Sequence, residues 1–155
     1  MTQEEEQLLL KGICENFPYG LWVKETLYSD STTIYPPDKY PTEKSKACKV
    51  MSVHGNCVTL HVSPLGWKPE VMELRHIKPY LRPMSSMTEE EKEYIKNRWC
   101  YEDWGDIYNF LNHYQIDAGD AYSFTDWLNE HHFDYRGLIE KGLALEAPVD
   151  MYRND

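Results

Sequence analysis

Two alternating stretches that meet at Gly55-Asn56 constrain this chain more than any other feature. Val58, Leu60 and Val62 alternate with Cys57, Thr59 and His61, and Met51 and Val53 approach the turn with the same period of two. Successive strand side chains point to opposite faces, so this period describes a half-buried sheet, and Gly-Asn supplies the φ > 0 tolerance of a tight hairpin. A regular hairpin over 49–62 sets Val53 opposite Val58 and Met51 opposite Leu60, giving one apolar face.

The same alternation runs through Leu21 and Val23, interleaved with Trp22 and Lys24, and short apolar runs recur at 71–74 and 77–81. Residues 28–46 are polar and carry Pro36-Pro37 and Pro41, which reads as an excursion rather than core; Pro64, Gly66 and Pro69 mark a second loop. The pattern predicts a small antiparallel SH3-like β-barrel or curled sheet over 18–83. Ahead of it, Thr2 with Glu5 fits a capping box, and Leu8, Leu9 and Ile13 form a short apolar stripe that Gly12 weakens and Pro18 ends. That predicts a helix over 3–15.

Charge divides the chain. Residues 1–83 hold 10 Lys+Arg against 10 Asp+Glu, whereas 84–155 hold 6 against 16, so the whole net charge of −10 falls in the second part. Thirteen of the 21 Phe, Trp and Tyr lie there too. With Pro79, Pro83 and Ser85-Ser86 as breakers, this places a join near Met84 and two units, 1–83 and 84–155, able to pack as one domain. The second unit reads as helical. Thr88 and Glu91 form another capping box ahead of Ile95 and Trp99. Asp106 caps a stripe of Ile107, Phe110, Leu111 and Tyr114. Ala121, Phe124, Trp127, Leu128 and His131 repeat that spacing, and Asp134 opens a short helix carrying Leu138 and Ile139 that Gly142 stops. The fold class is α+β.

Chemistry is sparse. Cys48, His54, Cys57 and His61 resemble a zinc set, but Cys57 and His61 stand roughly 13 Å apart along one strand, too far to share an ion. Cys14, Cys48, Cys57 and Cys100 form no CxxC pair and read as free thiols. His131 and His132 are adjacent, about 100° apart on a helix, and neither they nor His113 fall in a zinc-protease motif. No GxSxG, phosphate loop or triad signature occurs. The acids mostly sit at helix starts, where capping explains them, although a dense acidic face also imitates nucleic acid. Two groups of aromatics with basic neighbours, Tyr19, Trp22 and Lys24, then Trp67, Lys68, Arg75, Lys78 and Arg82, have the composition of a single-strand binder, against which the overall −10 weighs. No apolar run approaches the roughly 18–20 residues of a membrane span, and the acidic opening Met1–Glu6 is unlike an export signal.

Three stretches, Pro18-Tyr19-Gly20, residues 77–91 (IKPYLRPMSSMTEEE) and residues 131–148 (HHFDYRGLIEKGLALEAP), together resemble small uncharacterised proteins encoded by phages and prophages of Bacteroides-type gut bacteria. The resemblance implies a bacterial cytoplasm and a mobile-element context, with no activity, cofactor or catalytic residue to carry over. The expectation is a non-enzymatic accessory protein without cofactor that binds another protein of host or phage, one version being an acidic inhibitor of a host protein. Aromatic-rich helices equally suit a homo-oligomer interface. The alternatives are a small metal-dependent enzyme or nuclease using His113, His131, His132 and neighbouring carboxylates, and a nucleic-acid-binding small barrel.

Overall fold

A computed structural model describes residues 1–26, 48–61, 70–99 and 118–152. The expected excursion at 28–46, the loop at 64–69, the stripe from Asp106 to Tyr114, Val62, Trp67, Lys68, Cys100 and His113 lie outside the described residues. Helix α1 (Gln3–Asn16) begins as its capping box dictates: Glu5 N–H donates to Thr2 Oγ1 at 3.1 Å and Thr2 N–H donates to Glu5 Oε2 at 2.7 Å. Leu9 and Ile13 are buried on the face it presents to the sheet. Gly12 has a use the sequence conceals. A Cβ there would stand 2.7 Å from Leu138 Cδ1, so its missing side chain admits a residue from the far end of the chain.

The sheet comprises β1 (Trp22–Glu25), β2 (Cys48–His54), β3 (Cys57–His61), β4 (Glu70–Glu73), β5 (Ile77–Leu81) and β6 (Leu145–Glu146), in the order β4-β3-β2-β1-β5-β6. Five strands pair antiparallel, and β6 joins β5 in parallel. It is thus an open, mixed sheet and not the closed antiparallel barrel. The hairpin turns at Gly55, whose φ is +59°, with Val53 opposite Val58 as expected. Its register then slips: Ser52 faces Thr59 and Val50 faces Leu60. Met51 is left in the bulge and 47% exposed, while Val50 takes the core position expected of it. Burying Val50 and Cys48 beside Leu60 drives the slip, because one face of the strand must reach the core along its whole length.

Helix α2 (Glu89–Trp99) opens with the second capping box, Glu91 N–H on Thr88 Oγ1 at 3.2 Å and Thr88 N–H on Glu91 Oε1 at 3.0 Å. Helix α3 (Ala118–Glu130) buries Phe124 and Leu128 and half-buries Trp127, as its spacing predicts. The expected helix from Asp134 is not formed. Asp134 instead accepts Leu138 N–H and Ile139 N–H, each at 2.8 Å, and folds 134–142 into successive turns. Gly142, at φ +72°, therefore ends no helix but closes the last of these turns: its N–H reaches Ile139 O, and Leu143 N–H reaches Leu138 O.

Leu138, Leu143 and Ala144 enter the same apolar cluster as Leu9, Ile13, Leu21 and Leu60, so residues from both sides of Met84 share one core. A second cluster gathers Ile95, Phe124, Leu128 and Phe133, and a third sets Tyr80 and Met151 against Trp22 and Tyr152. At about 1.5–3 kcal/mol for each fully buried large apolar side chain, Leu138 and Leu143 contribute substantially to the front core. Among the described residues, no helix is long and apolar enough to cross a membrane.

Candidate functional site

Among the described residues, two groups of polar side chains bear on function. The first is a junction where Pro18–Gly20, the end of β5 and the segment after α3 meet. Helix α3 ends in a Schellman turn: Phe133 N–H donates to Leu128 O and His132 N–H to Asn129 O, both at 3.0 Å. The left-handed position in this turn usually belongs to glycine, but here it is His132, at φ +59°. His132 is 2% exposed, and its ring lies with Nδ1 3.1 Å from Asn16 Oδ1 and Nε2 3.2 Å from the Tyr19 carbonyl. Asn16 is oriented by its own Nδ2, which donates to Gly12 O at 2.9 Å. The imidazole also stacks on Tyr152 at 3.8 Å. Burial pulls the His132 pKa down to about 4, and Arg82, Lys49 and His131 add to the effect against the Tyr19 carbonyl.

Arg82 ties the same junction. Its N–H donates to His132 O at 2.7 Å, and its carbonyl accepts Asp134 N–H at 2.8 Å. Its guanidinium grips Glu91 through two bonds, of 2.9 and 2.7 Å, and lies over the Phe133 ring. Burial raises the Glu91 pKa, but Arg82 and the Thr88 N–H outweigh it and hold the carboxyl below its ordinary value. Nearby, Arg136 forks onto Glu15 at 2.9 and 2.7 Å, Tyr135 donates to Glu15 at 3.1 Å, and Tyr19 donates to Asp126. That bond to Asp126 pushes the Tyr19 phenol up to about 12. Asn129 Oδ1 is buried without a partner among the described residues. Apart from that atom and one ring nitrogen of His132, which as a neutral imidazole has a single N–H to offer its two oxygen neighbours, the donors and acceptors named at this junction are occupied by other parts of the chain. It works as a fastening between α1, β5 and the C-terminal segment.

The candidate zinc set is dispersed by the bulge. Cys48 turns to the buried face, while His54 is exposed opposite Cys57. No group of three metal-ligating side chains occurs among the described residues. His131 and His132 part company as well: His131 stacks on Trp127 at 4.2 Å with Nδ1 against Trp127 O, and His132 points inward. Ser52 Oγ lies 2.8 Å from His54 Nε2, but the pair sits on an exposed hairpin, and among the described residues no carboxylate bonds the ring to orient it.

The second place is the outer face of the sheet. Val23 and Pro79 pair inward, so their neighbours Lys24 and Lys78, directly opposite one another, both point outward. Trp22 pairs with Lys49, whose Nζ stands 5.7 Å from the indole centroid. The structure therefore unites Trp22 and Lys24 from one expected group with Lys78 from the other. Lys49, which sequence reasoning missed, joins them because only cross-strand register brings it beside Trp22. Of the other described candidates, Arg75 is engaged with Glu73 at 2.8 Å, Arg82 with Glu91, and Tyr19 faces Asp126. No family model, no curated protein and no solved structure matches the chain.

Proposed function

We propose that this is a non-enzymatic accessory protein of phage or prophage origin that acts by binding another protein, with the outer face of the sheet as its contact surface. One observation carries the reading: Lys24 and Lys78 are paired directly across neighbouring strands. Like charges so placed oppose folding, and local conflicts of this kind mark surfaces kept for a ligand. The order β4-β3-β2-β1-β5, with a 3-10 turn at Leu74–His76 leading into β5, supports an SH3-like reading of those five strands, a scaffold that hosts many binding functions. The bacterial cytoplasm is the compartment that goes with the phage resemblance.

The test is affinity capture from lysate of a Bacteroides-type host with three baits: the native chain, Lys24→Glu/Lys78→Glu, and a chain with Glu89, Glu90 and Glu93 reversed to Lys. Specific capture by the native bait that disappears with the lysine reversal supports the reading. Loss only with the glutamate reversal moves the contact to α2 and favours the acidic-inhibitor version. Metal-dependent cleavage of nucleic acid by the purified chain overturns it in favour of an enzyme.

A further inference from the structure

We infer that Lys24, Lys49 and Lys78 form a docking surface for an acidic segment of the protein partner, one that lays two or three Asp or Glu carboxylates across β2, β1 and β5. This rests on the protein-binding reading above and names the chemistry of the partner. The three lysines occupy three adjacent strands, which at about 4.8 Å between neighbours makes a patch roughly 10 Å wide. None has a carboxylate partner among the described residues, whereas Arg75, Arg82, Arg98 and Arg136 all do. Lysine ammoniums on flexible stems receive carboxylates without the fixed fork geometry that arginine imposes.

The dimensions and surroundings select an acidic polypeptide over other anions. A nucleic-acid strand needs a continuing cationic track and open aromatic faces for its bases. Here the Trp22 ring lies beside Lys49 and packs against the Tyr80 cluster, and the outer face runs on through Thr59 and Val71 to Glu73. A second copy of this chain, itself at −10, is repelled at long range.

The full chain is titrated, at about 50 mM and about 300 mM salt, with a short Glu/Ser peptide, a Lys/Ser peptide of the same length and an oligothymidylate, following backbone amide resonances. The acidic peptide should shift Trp22, Lys24, Lys49 and Lys78. Its affinity should fall about tenfold or more in Lys24→Glu/Lys78→Glu and stay unchanged in Lys11→Glu on the exposed side of α1. Lys24→Gln/Lys78→Gln replaces the double reversal if that variant does not fold. No shift with the acidic peptide overturns the inference. Binding of the basic peptide alone, indifferent to the lysine changes, overturns it and leaves the protein-binding reading standing. Tighter binding of the oligothymidylate at these residues overturns both.

Discussion

The hydroxyl of Tyr152 donates to the Tyr80 carbonyl at 2.7 Å, and it does so from inside the β1–β5 ladder. The same oxygen accepts the Trp22 N–H at 3.1 Å. Direct β1–β5 pairing runs from Val23–Pro79 to Glu25–Ile77, so the tyrosine supplies the next rung from the C-terminal segment. Burial pushes its phenol well above the ordinary tyrosine range.

Tyr152→Phe should therefore destabilise the fold by about 1–3 kcal/mol, since it takes the acceptor from the half-buried Trp22 N–H and removes the bond to the Tyr80 carbonyl while conserving the ring. Urea unfolding with an unchanged m value measures this. A loss below about 0.5 kcal/mol would show that the rung contributes nothing.

Gly12→Ala tests the closest approach in the core. Helix propensity alone favours alanine by about 1 kcal/mol, but the new Cβ would meet Leu138 Cδ1 at 2.7 Å, and overpacking of this kind costs about 1–3 kcal/mol. The variant should be less stable than the native chain. Combined with Leu138→Ala, the two changes should be less harmful than their sum, and strict additivity would deny the contact.

His132 makes stability depend on pH with a definite sign. Its folded pKa is near 4, below the ordinary 6.5, so the unfolded chain takes up the proton first. Stability held above pH 6.5 should thus drain away as pH falls toward 4, by up to roughly 3 kcal/mol. His132→Asn, which tolerates the left-handed backbone, should flatten that part of a stability–pH profile. An equal slope in both proteins would locate the effect elsewhere.

The bulge in β2 predicts opposite outcomes at adjacent positions. Met51→Lys should change stability by no more than about 0.5 kcal/mol, because Met51 is half exposed. Val50→Lys should unfold the hairpin, since Val50 is 5% exposed beside Leu60. A regular hairpin register demands the reverse order in thermal denaturation.

Arg82→Ala should cost about 3–5 kcal/mol, because it removes one partner of a largely buried pair and leaves Glu91 uncompensated. The double variant Arg82→Ala/Glu91→Gln should recover part of that loss in chemical denaturation, and no recovery would mean that the stacking of Arg82 on Phe133 carries the effect.

Local chemistry alone determined much of this protein. Thr2 with Glu5 and Thr88 with Glu91 start their helices because capping needs only neighbours along the chain, and Gly55 turns its hairpin for the same reason. The stripe at Phe124 and Leu128 follows from one helix having one buried side. Tertiary structure decided the rest, because it depends on groups distant in sequence. Val50 displaced Met51 once β2 had to match the core. His132 took a glycine's position because Asn16, Tyr19 and Tyr152 hold its ring, and Asp134 folded turns instead of a helix so that Leu138 could reach Gly12. Lys24 and Lys78 each look like an ordinary strand lysine until antiparallel pairing sets them face to face.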